Sequence, residues 1–194
     1  NWIRGNFSGY TTGGGDLQGC LTFLPDFKTE STSSEPAPAL LKTKWGKETS
    51  GFEDWIIPAA KDLRKDLGLA PAVYIEKWLA AWVEEFGVDG FRCDTAKHIE
   101  EYRWKELKDM CKTALENWRK SSRATGDAKN WDEDFWMTGE CFPWYIGNTG
   151  FYGIGFDSMI DFSYNSGSGR TPDIGDWAGR ANSLNGAPDD GQNA

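Results

Sequence analysis

The chain has 194 residues, enough for one domain or for one domain with a subdomain, and a formal net charge of −9. An acidic protein repels phosphate backbones, and its basic residues are interspersed with acidic ones, so we expect no nucleic-acid partner. No apolar run approaches the ~18 residues of a membrane-spanning helix, which predicts no membrane span.

The numbers of histidine, cysteine and tryptophan residues further limit the kinds of site that the chain can form. His98 is the only histidine, so catalysis by several histidines is excluded, and the four cysteines form no Cys-x-x-Cys motif typical of a metal site. The 11 tryptophans exceed what a core of this size needs. They either fill the core and interfaces or line a site with flat rings that stack on sugars or bases, and the composition leaves both open.

Taken in chain order, the predicted elements begin with an irregular region at residues 1–50, rich in glycine near 13–15 and in Ser, Thr, Glu and Pro at 29–38. From about residue 52, helices and strands alternate. Helices are predicted at 72–86, 102–119 and 171–184, and strands at 88–94, 135–140 and 156–162. The first two helices are predicted from apolar residues that recur on one face: Ile75, Leu79, Trp82 and Phe86 in the first, and Trp104, Leu107, Cys111, Ala114 and Trp118 in the second. This alternation predicts an α/β fold with a parallel sheet, in which sites lie at the carboxyl ends of the strands.

Two of the predicted strands end in a carboxylate, Asp94 and Glu140. Side chains alternate along a strand, so Arg92 shares a face with Asp94 and would favour its ionised form. Aromatic neighbours, Trp144 among them, would keep Glu140 protonated. Such a pair suits glycoside hydrolysis, which needs one ionised and one protonated carboxyl. The spacing alone also fits a buried Arg92–Asp94 ion pair without a catalytic role and a Glu140 that caps a loop.

Residues 90–98, Gly-Phe-Arg-Cys-Asp-Thr-Ala-Lys-His, resemble the second signature region of the α-amylase family, the retaining glycoside hydrolases of family 13. Residues 137–140, Met-Thr-Gly-Glu, resemble the third region, and residues 23–26, Phe-Leu-Pro-Asp, resemble a region of the inserted subdomain. The resemblance covers most of residues 20–165. Residues 1–4 and 26–31 are similar to the bacterial periplasmic-type members, which implies a secreted or periplasmic protein.

The resemblance implies a fold and a domain organisation. The chain would be part of a TIM (β/α)8 barrel, about strands 4–6 with their helices, preceded by part of an inserted irregular subdomain. Residues 1–50 would form the C-terminal part of that subdomain. Residues 51–194 would form the central part of the catalytic barrel.

The resemblance also implies roles for single residues. Asp94 would be the nucleophile, Glu140 the acid/base, and Arg92 the group that orients Asp94. Contacts to an α-glucan substrate would come from Lys97, His98 and Trp144. The family binds a structural Ca²⁺, for which Asp26 would supply a carboxylate and His98 its main-chain carbonyl, both hard oxygen ligands.

Two motifs of the family are absent: the His-Asp pair with its third carboxylate, and the Asn-His pair of its first region. A whole barrel needs ~250 residues. We therefore expect a central fragment of a longer enzyme, inactive by itself. The predicted function is retaining endo-hydrolysis of α-1,4-glucosidic bonds in starch and maltooligosaccharides. The alternatives are an α-1,6-glucosidase, a transglycosylase, or a non-catalytic homologue that binds glucan or a partner protein.

Overall fold

The computed structural model describes residues 2–4, 15–19, 24–48, 56–141 and 150–160. The described residues form two compact units. The helical unit contains those within 1–89 and 98–135, and the sheet unit contains those within 90–97 and 136–194. The helix predicted at 171–184 lies outside the described residues, and the domain boundary predicted near residue 50 stays a prediction.

The regular elements of the described residues are few and short, apart from two long helices. In chain order they are β1 (Ile3–Arg4), α1 (Gly15–Gln18), β2 (Asp26–Phe27), α2 (Ala39–Glu48), α3 (Pro71–Phe86), β3 (Gly90–Cys93), α4 (Glu101–Lys120), β4 (Trp136–Gly139) and β5 (Ser158–Met159). Short 3-10 helices occur at Pro58–Leu63, Ala96–His98, Gly126–Asn130 and Gly150–Ile154. No helix among them is long and apolar enough to cross a membrane.

The prediction that residues 1–50 are irregular is wrong for α2. This helix contains Ala, Leu and Lys, which are good helix formers, and it follows Pro38 directly. Most of its residues are exposed, so it shows no apolar stripe from which it could be predicted. Ion pairs stabilise its buried C-terminal end. Glu48 Oε1 lies 2.8 Å from Lys44 Nζ, and the Glu48 carboxylate also contacts Arg64.

The helix predicted at 72–86 is confirmed as α3, with Pro71 in its first turn and Gly87 at its end. Gly87 has φ +66° and donates its N–H to Val83 O at 2.8 Å. A Cβ at this position would lie 2.3 Å from the Trp118 ring. Both the left-handed conformation and the close approach therefore require glycine at this helix end.

The apolar stripe that predicted α3 is not its buried face. Tyr74 and Val83 are fully buried, whereas Trp82 and Phe86 are 51% and 54% exposed. Tyr74 packs against Trp2, with ring centroids 5.1 Å apart. Because α3 is apolar on more than one side, periodicity predicted the helix but not the side that meets the core.

The helix predicted at 102–119 is confirmed as α4, which packs against α3. The predicted face is buried at Trp104, Leu107, Cys111 and Ala114. The opposite face carries exposed charge pairs such as Lys105–Asp109, at 3.3 Å. This is the ordinary amphipathic arrangement of a surface helix.

Arg103 joins α4 to α3 and to the segment that follows β2. Its Nε donates to Thr29 O at 3.1 Å, its Nη2 to Ser31 O at 3.4 Å, and its Nη1 to Glu106 at 2.7 Å. Arg103 Nη1 also lies 3.6 Å from Glu76 Oε1 on α3. Burial raises the pKa of Glu76 to about 7, and the charge of Arg103 opposes that rise. Arg103 is therefore the counter-charge of a buried carboxyl.

The predicted parallel sheet is confirmed in the sheet unit, with shorter strands than predicted. β4 lies between β3 and β5 and is parallel to both, with Cys93 opposite Gly139 and Gly139 opposite Met159. Asp157 fixes the last strand, because its carboxylate accepts from Met137 N at 2.6 Å and its N–H donates to Met137 O at 2.9 Å. Within the described residues the sheet is open at both edges, so a partial barrel stays a prediction.

Candidate active site

Asp94 and Glu140 follow the ends of neighbouring parallel strands, as the strand pattern predicts. Cys93 and Gly139 face each other as the last residues of β3 and β4, and the two carboxylates come directly after them. The ladder continues for one step, because Glu140 N donates to Cys93 O at 2.9 Å. The backbone thus presents both carboxyls at one edge of the sheet.

Arg92 bridges the two carboxyls. Its Nη1 lies 2.8 Å from Asp94 Oδ2 and its Nη2 lies 3.0 Å from Glu140 Oε2. The side chains of Arg92 and Asp94 are 50% and 65% exposed, and that of Glu140 is 16% exposed. An Arg92–Asp94 pair this open does not match the buried ion pair that the spacing also allowed. The cluster is open to solvent at Asp94 and more closed at Glu140.

The two carboxyls have different electrostatic environments. A hydrogen bond from the Glu140 carboxyl and a second one from Arg92 hold the pKa of Asp94 below its usual range. The bond to Asp94 in turn raises the pKa of Arg92. These bonds favour the ionised form of Asp94.

The predicted substrate contacts are only partly described. Lys97 lies three residues after Asp94 in the sheet unit and is half-buried in the 3-10 turn Ala96–His98. His98, also half-buried, belongs to the helical unit. Trp144 lies outside the described residues. The roles of these three residues stay predictions, as does the aromatic shell expected around Glu140.

Asp26 and His98 both lie in the helical unit. Burial raises the pKa of Asp26, an effect that Arg4 opposes, the carboxylates of Glu30 and Glu100 reinforce, and His98 opposes. Arg4 Nε lies 3.2 Å from Asp26 Oδ2, yet this buried oxygen has no hydrogen-bond partner in the described part of the chain. A buried carboxylate oxygen without a donor is a ligand type that Ca²⁺ accepts. Residues 2–4, 15–19, 24–48, 56–141 and 150–160 hold no group of three or more acidic, His or Cys side chains that could bind a metal.

Two α-amylases are similar in sequence to this chain. The periplasmic alpha-amylase of Escherichia coli (strain K12) is 37% identical over 174 residues, which is 89% of this chain and 23% of that protein. The alpha-amylase of Streptomyces lividans is 34% identical over 92 residues, 46% of this chain and 9% of that protein. The chain is thus similar to part of two α-amylases. The resemblance inferred from residues 90–98 and 137–140 is thereby confirmed.

No family model matches the sequence. A crystal structure of an Anoxybacillus alpha-amylase is similar over 50% of this chain and 20% of that chain, with a TM-score of 0.36 and 23% identity. The chain spans less than a quarter of the length of each of the two α-amylases above.

The α-amylase motifs did not indicate every polar group at this edge of the sheet. The N–H of Thr95 donates to Glu140 Oε2 at 3.4 Å and also bonds to Asp94. On the neighbouring strands, the hydroxyls of Thr138 and Ser158 are 2.8 Å apart. The Thr95 contact comes from a main-chain amide, and no residue type in the sequence signals such a group.

Proposed function

We propose that this chain is the central part of the catalytic domain of a secreted or periplasmic α-amylase. That enzyme hydrolyses α-1,4-glucosidic bonds inside starch and maltooligosaccharides and retains the configuration at the anomeric carbon. The relationship to α-amylases, one of them named periplasmic, supports the substrate class and the location. The observation that carries the proposal is the pair of carboxyls, Asp94 and Glu140, bridged by Arg92.

The different environments of the two carboxyls match the two roles that retaining hydrolysis needs. The ionised Asp94 attacks the anomeric carbon, and the bond from that carbon to the glycosidic oxygen breaks. Glu140 gives its proton to the leaving oxygen. Glu140 then takes a proton from a water molecule, which displaces Asp94 and releases the sugar with its original configuration.

Substrate binding has to separate the two carboxyls. In retaining glycosidases the carboxyl groups lie ~5–5.5 Å apart, with the sugar between them. A sugar bound between them would replace the interaction with Glu140 that lowers the pKa of Asp94. Arg92 bonds to each carboxyl through a different nitrogen, and it can keep one contact while the other opens.

Two features support the proposal that the chain is part of a larger barrel. The sheet formed by β3, β4 and β5 is open at both edges within the described residues, although parallel sheets occur almost only with covered faces and neighbours. Trp82 and Phe86 form a half-exposed aromatic pair on α3, with ring centroids 5.3 Å apart. Such a surface is typical of a helix that packs against a further element.

The stereochemistry of the product tests the proposed function. We expect a longer polypeptide that contains this chain to release α-configured sugars from maltoheptaose, as followed by proton NMR in the first minutes of reaction. Internal cleavage should also reduce the chain length of starch before small sugars accumulate. Products of β configuration, or binding of maltoheptaose without any hydrolysis, would contradict the proposal.

We also propose that Asp26 and the main-chain carbonyl of His98 bind a structural Ca²⁺ ion. The buried and unbonded Oδ2 of Asp26 supports this, together with the nearby carboxylates of Glu30 and Glu100. When bound, the ion would neutralise this acidic group and stabilise the segment around β2.

Calcium should therefore raise the melting temperature of the protein. We expect 1 mM Ca²⁺ to raise it by about 2–4 °C relative to a chelated sample, since about 1 kcal/mol of binding energy has that effect on a chain of this size. Asp26→Asn should remove the response, whereas Asp62→Asn, an exposed acidic residue, should keep it. Differential scanning calorimetry measures the shift, and equal melting curves with and without Ca²⁺ would rule out the site.

A further inference from the structure

Thr95 has an unusual backbone conformation at the end of β3. Its φ is +51°, and no other residue except glycine has a positive φ in the described part of the chain. Threonine is branched at Cβ, and such residues are strongly disfavoured in the left-handed region. The side chain is exposed, so packing of the hydroxyl or the methyl group does not explain the conformation.

The left-handed conformation turns two successive amides toward Glu140. Thr95 N donates to Glu140 Oε2 at 3.4 Å, and Ala96 N donates to the Glu140 carbonyl oxygen at 2.7 Å. The Thr95 N–H also bonds to the carboxylate of Asp94. Adjacent amides in a left-handed turn form a concave site for negatively charged oxygens.

The turn is held firmly from both sides. Ala96 is fully buried, and Glu140 N donates to Cys93 O at 2.9 Å, immediately before the turn. A residue in a disfavoured conformation persists only where its surroundings over-determine it, and such residues cluster at functional sites.

We infer that Thr95 is a positioning residue, whose left-handed backbone directs its amide between the two carboxyls and fixes their mutual geometry. This inference rests on the proposed roles of Asp94 and Glu140. The amide N–H stabilises the ionised form of Asp94, and the Cβ of Thr95 limits the turn to few conformations. A residue without Cβ would relieve the strain but would let the amide move away from the carboxyls.

The titration of Asp94 tests this inference without any substrate. In Thr95→Gly we expect the titration midpoint of the Asp94 carboxyl carbon to move to higher pH by about 0.5 pH unit or more, because the amide bond is populated less. The melting temperature should rise by about 2–4 °C, because the left-handed strain is gone. Carbon-13 NMR of labelled aspartate measures the midpoint, and Asp94→Asn identifies the resonance.

Two further variants distinguish a positioning role of Thr95 from a general loss of rigidity in the chain. Asparagine keeps a Cβ and tolerates the left-handed region, so Thr95→Asn should recover most of the shift. Thr32→Gly, at an exposed loop position, should leave the Asp94 midpoint in place. An unchanged midpoint in Thr95→Gly, or a lower melting temperature, would overturn the inference. The Asp94 carboxyl titrates whether or not the chain hydrolyses a substrate. This test can therefore fail while the proposed function holds, and the reverse is also true.

Discussion

Replacing Glu140 by glutamine, in an α-amylase that contains this chain, should lower kcat for maltoheptaose by about a thousandfold, or about 4 kcal/mol of transition-state stabilisation. Glutamine keeps the shape of the side chain but has no acidic proton for the leaving oxygen. KM should change much less, because the contact to Arg92 can be kept by the amide oxygen. Steady-state kinetics with a reducing-end assay measures both constants.

Substrates with different leaving groups distinguish an acid role of Glu140 from a structural role. α-Glucosyl fluoride has a leaving group that needs little protonation, so Glu140→Gln should form the glycosyl-enzyme and release a first equivalent of fluoride nearly as fast as the unchanged enzyme. The following hydrolysis should stay slow, because Glu140 also takes the proton from water in that step. Glu133→Gln is the matched control, because Glu133 is exposed and lies in the helical unit. Near-normal turnover of maltoheptaose by Glu140→Gln would exclude the acid role.

Replacing Arg103 by methionine should lower the free energy of unfolding by about 2–4 kcal/mol at pH 8, of which the buried Glu76 without its counter-charge accounts for up to about 1.4 kcal/mol. The variant also loses the bonds from Arg103 to Thr29 and Ser31. Lys105→Met is the matched control on the same helix, and it should change the free energy by less than about 0.5 kcal/mol. Urea denaturation of the chain, followed by circular dichroism, measures all three proteins.

The part of this loss that comes from Glu76 depends on pH. The pKa of Glu76 is raised from its usual 4.5 to about 7, so the folded protein binds a proton there that the unfolded chain releases. The stability contributed by this group is complete below about pH 4.5 and is lost as the pH rises through 7. At pH 5 the carboxyl is mostly neutral, and Arg103→Met should cost clearly less than at pH 8. An equal cost at both values, or no recovery in Arg103→Met/Glu76→Leu, would contradict this account.

Residue patterns within single segments predicted the strands that position the candidate active site. Alternation along the strands was sufficient to place Arg92 on the same face as Asp94, and the parallel order was sufficient to bring Asp94 and Glu140 to one edge. Residue-type patterns also predicted α4 and its buried face. These predictions succeed because helix and strand periodicities depend on the covalent chain and on burial of apolar side chains, both of which can be read directly from the sequence.

The same patterns did not predict which side chains are buried where a segment could pack in more than one way. α2 is exposed and has no apolar stripe, and α3 is apolar on more than one side, so neither helix showed which surface meets the core. Arg103 and Glu76 look like surface residues in the sequence, since only the packing of α4 against α3 buries them. Burial depends on contacts between distant segments, which periodicity does not report.

By itself, the sequence determined which side chains this protein offers for chemistry: two strand-end carboxylates, an arginine two residues before one of them, and a single histidine. Those identities follow from residue type and spacing. Only the tertiary structure decided that Arg92 contacts both carboxyls and that the Thr95 amide donates to Glu140. The reason is physical. Ionisation and main-chain hydrogen bonding depend on distances of a few ångströms between separate strands, and those distances exist only after the chain has folded.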